Sequence, residues 1–122
     1  KLQGALPAIA LDSHAALNTA FANDMDGRLC FAQQVYAYGR KGDLFLGITT
    51  SGNSENILFA AVTARALGMK AIGFTGQSGG KVAEIVDFCV KIPATQTYEV
   101  QELQQPVYHC WCQMLEEEFF RR

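Results

Sequence analysis

Charge is scarce in this chain and nearly balanced. Under a fifth of its 122 residues are charged and the formal charge is -2, so the totals give no reason to expect nucleic acid as a partner. The closing pair Arg121-Arg122 is too short a run to act as a basic tail. No apolar stretch approaches the ~20 residues needed to cross a membrane. The start, Lys1-Leu2-Gln3-Gly4, has no apolar core ahead of a cleavage site. The four cysteines, Cys30, Cys89, Cys110 and Cys112, form no C-x-x-C pair, and a reduced, cytoplasmic setting is expected. Neither G-x-x-x-x-G-K-[ST] nor G-x-G-x-x-G occurs. That excludes a Walker A loop and disfavours a dinucleotide enzyme. Internal repeats and low-complexity linkers are missing too, so the length fits one domain able to bury a core.

What is present is an alternation of short apolar runs and helical periodicities. Pro7 to Leu11, PAIAL, reads as a short buried strand, and Ser13 as the cap of a helix running towards Ala22. Asn23 to Arg28, NDMDGR, is a polar break. Leu29 to Tyr38 carries Phe31, Val35 and Tyr38 at helical spacing, with Gly39 as the stop. Leu44 to Ile48 is a continuous apolar run, the pattern of a strand covered on both faces. Asn53 to Leu67 places Ile57, Ala60, Ala61, Ala64 and Leu67 on one helical face, and Gly68 is set to end that helix in the left-handed conformation. Met69 to Thr75 and Phe88 to Ile92 read as further strands, with a short helix over Lys81 to Val86 between them. A long helix is expected from about Thr97 to Phe120, carrying Val100, Leu103, Val107, Trp111, Leu115 and Phe119. Alternating elements of this kind predict a parallel sheet flanked by helices, with ligands at the edge where the strands end.

One stretch at that edge carries chemistry. GITTSGNSEN, Gly47 to Asn56, joins a strand to a helix and holds no positive charge. The first amides of a helix lack internal partners and its start is partly positive, so an anion can be bound there without a lysine. Thr49, Thr50, Ser51 and Ser54 add hydroxyls, and Gly52 allows close approach to the backbone. A small phosphate ester is the expected ligand. The competing account is that Ser54 or Asn53 simply caps the helix. A second Gly-rich turn, TGQSGGK from Thr75 to Lys81, reads as a plain tight turn.

With GDLFLGITTSGNSENI, ALGMKAIGFTGQSGG and VQELQQPVYHCWCQMLEEEF in view, the chain resembles the sugar isomerase (SIS) domain family over essentially its whole length. Within that family the likeness is to the phosphoheptose isomerase group and to its relative, the initiator-associating DnaA-binding protein. The resemblance implies a three-layer αβα sandwich on a five-stranded parallel sheet of flavodoxin or Rossmann-like topology. It implies a small phosphosugar partner and assembly into a homo-oligomer, a tetramer or dimer. Residues 1–122 then form a single SIS domain that lacks the family's N-terminal helix and first phosphate-loop segment.

The resemblance also assigns roles. Thr49, Thr50, Ser51 and Ser54 take the phosphate, and Asp24 of the Asn23-Asp24 pair helps bind the sugar. Gln101 and His109 become zinc ligands, and His109 also the acid/base. The implied activity is an aldose–ketose isomerisation, an intramolecular oxidoreduction that converts sedoheptulose 7-phosphate to a heptose 7-phosphate. Several positions depart from the family pattern. The usual Q-E-x-H reads Gln101-Glu102-Leu103-Gln104, and Pro106 falls inside the long helix. The family completes its zinc site with a His and a Glu from an earlier helix, so the resemblance implies that this chain holds only half of a zinc site and that part of the catalytic site lies outside it. The alternative is a non-catalytic SIS module that senses a phosphosugar or docks a protein.

Read from residue type alone, His109 fits either an acid/base or a histidine satisfied in a helix interface. His14 is expected to play a structural or solvent-facing role. Cys110 and Cys112 face different sides of a helix, which argues against a shared metal and for small core residues.

Overall fold

A computed structural model describes residues 2–120, so the Arg121-Arg122 pair lies outside the described residues. Three parallel strands, β1 (Leu44–Thr49), β2 (Lys70–Thr75) and β3 (Phe88–Lys91), form a sheet in the order β1-β2-β3. Helices α1 (Ala15–Asp24), α2 (Cys30–Tyr38), α3 (Glu55–Ala66), α4 (Val82–Ile85) and α5 (Thr97–Phe120) complete the chain. The β1-α3-β2-α4-β3 alternation puts every strand end at one edge, as the pattern requires. Among the described residues there are three strands, against the five implied by the resemblance. No helix among them is long and apolar enough to cross a membrane.

Two apolar clusters hold the layers together. On one face, Val35 of α2 and the fully buried Ala60, Ala61 and Ala64 of α3 pack on Phe45 and Ala71. Small residues let the helix come close to the sheet. Gly47 and Gly73 are register partners on β1 and β2. A Cβ at Gly47 would lie 2.7 Å from Ile57 Cγ2, and one at Gly73 2.8 Å from Val82 Cγ1. Gly68 ends α3 with φ of 77°, and the Met69 amide donates back to the Ala64 carbonyl at 3.0 Å. On the other face, the start of α5 lies over Phe74, Ile92 and Ala94 through Val100, Val107 and Trp111. The Phe74 and Trp111 rings sit 4.8 Å apart between centroids.

Three sequence expectations are corrected here. PAIAL is not a strand: residues 2–10 run as exposed chain to a 3-10 turn at Leu11–Ser13. An apolar run becomes a strand only beside a partner, and none of the three strands pairs with it. Ser13 does not cap α1. Its hydroxyl donates to the Ala10 carbonyl at 2.6 Å, and His14 Nδ1 accepts from the Leu17 amide at 3.3 Å as the actual cap. β1 is covered on one face only, since Leu44, Leu46 and Ile48 are exposed while Phe45, Gly47 and Thr49 are buried.

α5 accounts for a fourth difference. At 24 residues it is ~36 Å long, whereas strands of four to six residues span no more than ~20 Å. The helix runs unbroken through Pro106 and overruns the sheet. Cys110 and Cys112 consequently lie exposed rather than in the core, and so do Leu115 and Phe119.

Candidate functional site

Loops following all three strands meet at the common edge, and backbone bonds lace them together. The Gly76 amide donates to the Thr50 carbonyl at 2.9 Å, and the Val82 amide to the Gly52 carbonyl at 2.9 Å. The Gln77 amide donates to the Ala94 carbonyl at 3.0 Å, bringing in the segment after β3. Gly52 has φ of 70°, and its Cα faces the Gly79 carbonyl so closely that a Cβ would overlap it. The Gly-rich stretch from Thr75 to Lys81 is therefore more than a turn. It is the surface against which the Ser/Thr loop is seated.

The hydroxyls within that loop are arranged for something other than capping. Ser54 stands at the N-cap position of α3, with φ of -64° and ψ of 117°, yet its side chain makes no cap bond to the helix. Its hydroxyl instead lies 2.9 Å from the hydroxyl of the buried Thr49 at the end of β1. Ser51 Oγ accepts from the Asn53 amide at 3.1 Å. Thr50 is half-buried between Thr49 and Ser51. Asn56 Oδ1 accepts from the Ile57 amide at 2.9 Å, and the Ser54 carbonyl from those of Ile57 and Leu58, so the donors and partial positive charge beside the hydroxyls are those of the first two residues of the helix. An anion with several acceptor oxygens fits such a place, and a simple cap does not describe it.

Arg28 borders the same helix end. It follows α1 in a 3-10 turn at Gly27–Leu29 and reaches Glu55, the first residue of α3, at 3.2 Å. It also pairs with Asp26 at 2.7 Å. The hydrogen bonds that Arg28 donates to Asp26, and then to Glu55, push the guanidinium pKa further up, and the Arg28 side chain holds the Asp26 carboxyl below its ordinary value. The pair offsets the charge that Glu55 would otherwise set against an anion at the helix start.

Not every expected residue joins this cluster. Thr49, Thr50, Ser51 and Ser54 come together. Asp24 ends α1, exposed, and accepts from the Asn23 side chain at 2.7 Å. Gln101 and His109 are exposed on α5, with His109 edge-on to Tyr108 at 4.7 Å between centroids. Eight residues separate them by ~12 Å along the axis and by ~80° around it. Among the described residues no group of three or more His, Cys, Asp and Glu could hold a metal ion. Gln101 and His109 supply two donors, one of them a weak amide ligand, so they do not complete a zinc site by themselves.

Other residues at this edge gave little signal in the sequence. Gln104 is buried and donates to the Phe74 carbonyl at 3.3 Å, fixing the start of α5 on β2. Asn53 binds across the two loops. A polar residue at an inward position of a helix is a readable signal for Gln104. Nothing local marks Asn53, whose partner Lys81 is 28 residues away.

Comparison with known proteins gives a consistent picture. The SIS domain family model matches residues 3–76. A phosphoheptose isomerase of Aneurinibacillus thermoaerophilus is 40% identical over 116 residues, which is 95% of this chain and 59% of that protein. One from Desulfovibrio desulfuricans is 46% identical over 110 residues, 90% of this chain and 52% of that protein. The solved structure of a phosphoheptose isomerase from Francisella tularensis superposes with a TM-score of 0.88 at 39% identity, covering 91% of this chain and 60% of that one. The chain thus spans about half to six-tenths of the length of the relatives it matches.

Proposed function

The chain belongs to the SIS domain family, and from that premise we propose that it is the phosphosugar-binding part of a phosphoheptose isomerase. The observation that carries this reading is the Ser54 hydroxyl, turned off the helix start and onto Thr49. Likeness to phosphoheptose isomerases over nearly the whole chain supports the choice of sugar.

In this reading the hydroxyls of Thr49, Thr50, Ser51 and Ser54 and the first amides of α3 hold the 7-phosphate. Binding the phosphate fixes the far end of the substrate, so its energy orients the carbonyl end. Asp24 accepts from sugar hydroxyls. His109 takes the proton from C1 of the ketose and returns it to C2 of the enediol, while the hydroxyl proton passes from O1 to O2. The product is the aldoheptose 7-phosphate, with no external oxidant or reductant. Gln101 and His109 would serve as half of a zinc site, the other donors coming from outside this chain.

We further propose a homo-oligomer in the cytoplasm. Leu44, Leu46 and Ile48 on the bare sheet face, with Met114, Leu115 and Phe119 on the overrunning part of α5, are the apolar surfaces a second copy would cover. The exposed thiols Cys110 and Cys112 suit a reducing compartment.

The exposed position of His109, without a hydrogen bond to the loop, favours one second reading: a non-catalytic module that only binds the phosphosugar. Deuterium exchange separates the two. Incubation with sedoheptulose 7-phosphate in D2O should yield the aldose with deuterium at C2 and place deuterium at C1 of the recovered ketose, and His109→Ala should abolish both while leaving affinity nearly unchanged. Binding with no exchange, even when the protein is assembled and supplied with zinc, would favour the module.

A further inference from the structure

We infer that Asn53 is a positioning residue, and that through it the Gly76–Lys81 loop sets the anion affinity of the Ser/Thr loop; the inference rests on the phosphate reading above. Asn53 uses both ends of its carboxamide. Nδ2 donates to the Ser51 carbonyl at 3.1 Å, and Oδ1 accepts from the Lys81 amide at 3.1 Å. Its own amide donates to Ser51 Oγ at 3.1 Å. One side chain therefore ties the hydroxyl loop to a loop 28 residues further along the chain.

The consequence lies in where the carbonyls go. Three successive carbonyls of the Ser/Thr loop are engaged: Thr50 by the Gly76 amide, Ser51 by the Asn53 side chain and Gly52 by the Val82 amide. Two of those donors belong to the second loop and its helix. In a trans peptide the C=O and the following N–H point in opposite directions. Drawing these oxygens towards the second loop removes negative ends of dipoles from the site. Of the amides that follow, that of Gly52 donates to the Thr49 carbonyl at 3.3 Å and that of Asn53 to Ser51 Oγ, so the donor turned the other way, towards an anion, is that of Ser51. The two loops can approach this closely because both are glycine at the contact. Gly80, with φ of 53°, lies so near Ser51 that a Cβ would stand 2.6 Å from the Ser51 carbonyl oxygen.

The lock makes a prediction that a purely structural asparagine does not. Isothermal titration with inorganic phosphate and with sedoheptulose 7-phosphate is run on the wild type, Asn53→Ala and Asn53→Ser, well below each protein's melting temperature. Asn53→Ala should weaken both ligands by about tenfold, equivalent to ~1.4 kcal/mol. Asn53→Ser, which keeps a short polar side chain at the position, should fall between and keeps the test usable if the alanine variant does not fold. Amide hydrogen exchange at Lys81 and Val82 should speed up in step with the loss of affinity. Wild-type affinity in a folded Asn53 variant, with or without faster exchange, would overturn the inference and leave the phosphate reading standing. Failure of the wild type to bind either ligand would overturn the phosphate reading, and the inference with it.

Discussion

Gly52→Ala is the substitution most informative about how the two loops are joined. The residue has φ of 70°, and a Cβ would overlap the Gly79 carbonyl. Two costs add. Holding an L-residue at positive φ costs ~1–2 kcal/mol. Forcing an extra carbon into filled space costs a further ~1–3 kcal/mol. The expected loss is ~2–5 kcal/mol, a fall of roughly 1–2.5 M in the urea midpoint at a slope of ~2 kcal/mol per M. Gly42→Ala is the internal control. Gly42 has φ of 95° but nothing within 4 Å of its would-be Cβ, so it should lose only the ~1–2 kcal/mol of backbone strain. The difference between the variants measures the contact between the loops. Equal losses would show that the loops do not touch as described, and the account of the site would lose its frame.

Three other outcomes follow from the same structure. Phe74→Ala removes a fully buried ring packed at a tilt against Trp111 and should cost ~3–5 kcal/mol in a denaturation experiment; a loss below ~1 kcal/mol would mean α5 is not docked on the sheet. Asp87 accepts from the Ala71 amide and pairs with Lys70, which holds its carboxyl below the ordinary value. A depressed folded-state pKa contributes stability above the unfolded value near ~3.9 that is lost as pH falls through the folded one, so Asp87→Asn should flatten the stability–pH curve below pH ~4, and an unchanged slope would count against the pairing. A thiol reagent should modify Cys110 and Cys112 quickly and the buried Cys30 only on unfolding; equal rates at all three would contradict the burial of Cys30.

How much of this was legible depended on whether the signal was local. The long helix came out of its periodicity with its start in place, and Gly68 came out as a left-handed stop, because caps and periods are written in neighbouring residues. The Ser/Thr loop was readable for the same reason: a strand end, a glycine, hydroxyls and a helix start lie within ten residues. PAIAL misled because apolarity does not say whether a partner strand is near. β1 misled because a continuous apolar run looks the same whether one face or two are covered. Cys110 and Cys112 read as core residues in the sequence because helical spacing cannot tell that a helix outruns its sheet. The lacing of Asn53 to Lys81 was invisible, since it exists only once β2 has brought the second loop alongside the first.

The central claim is that residues Thr49 to Ser54 bind the phosphate of a sugar. Calorimetric titration of the chain with sedoheptulose 7-phosphate, inorganic phosphate and unphosphorylated sedoheptulose tests it most directly. The account requires one site per chain for the ester, competition by phosphate, and no measurable binding of the free sugar. Equal binding of sedoheptulose and its phosphate, or ester binding that phosphate does not compete with, would contradict it.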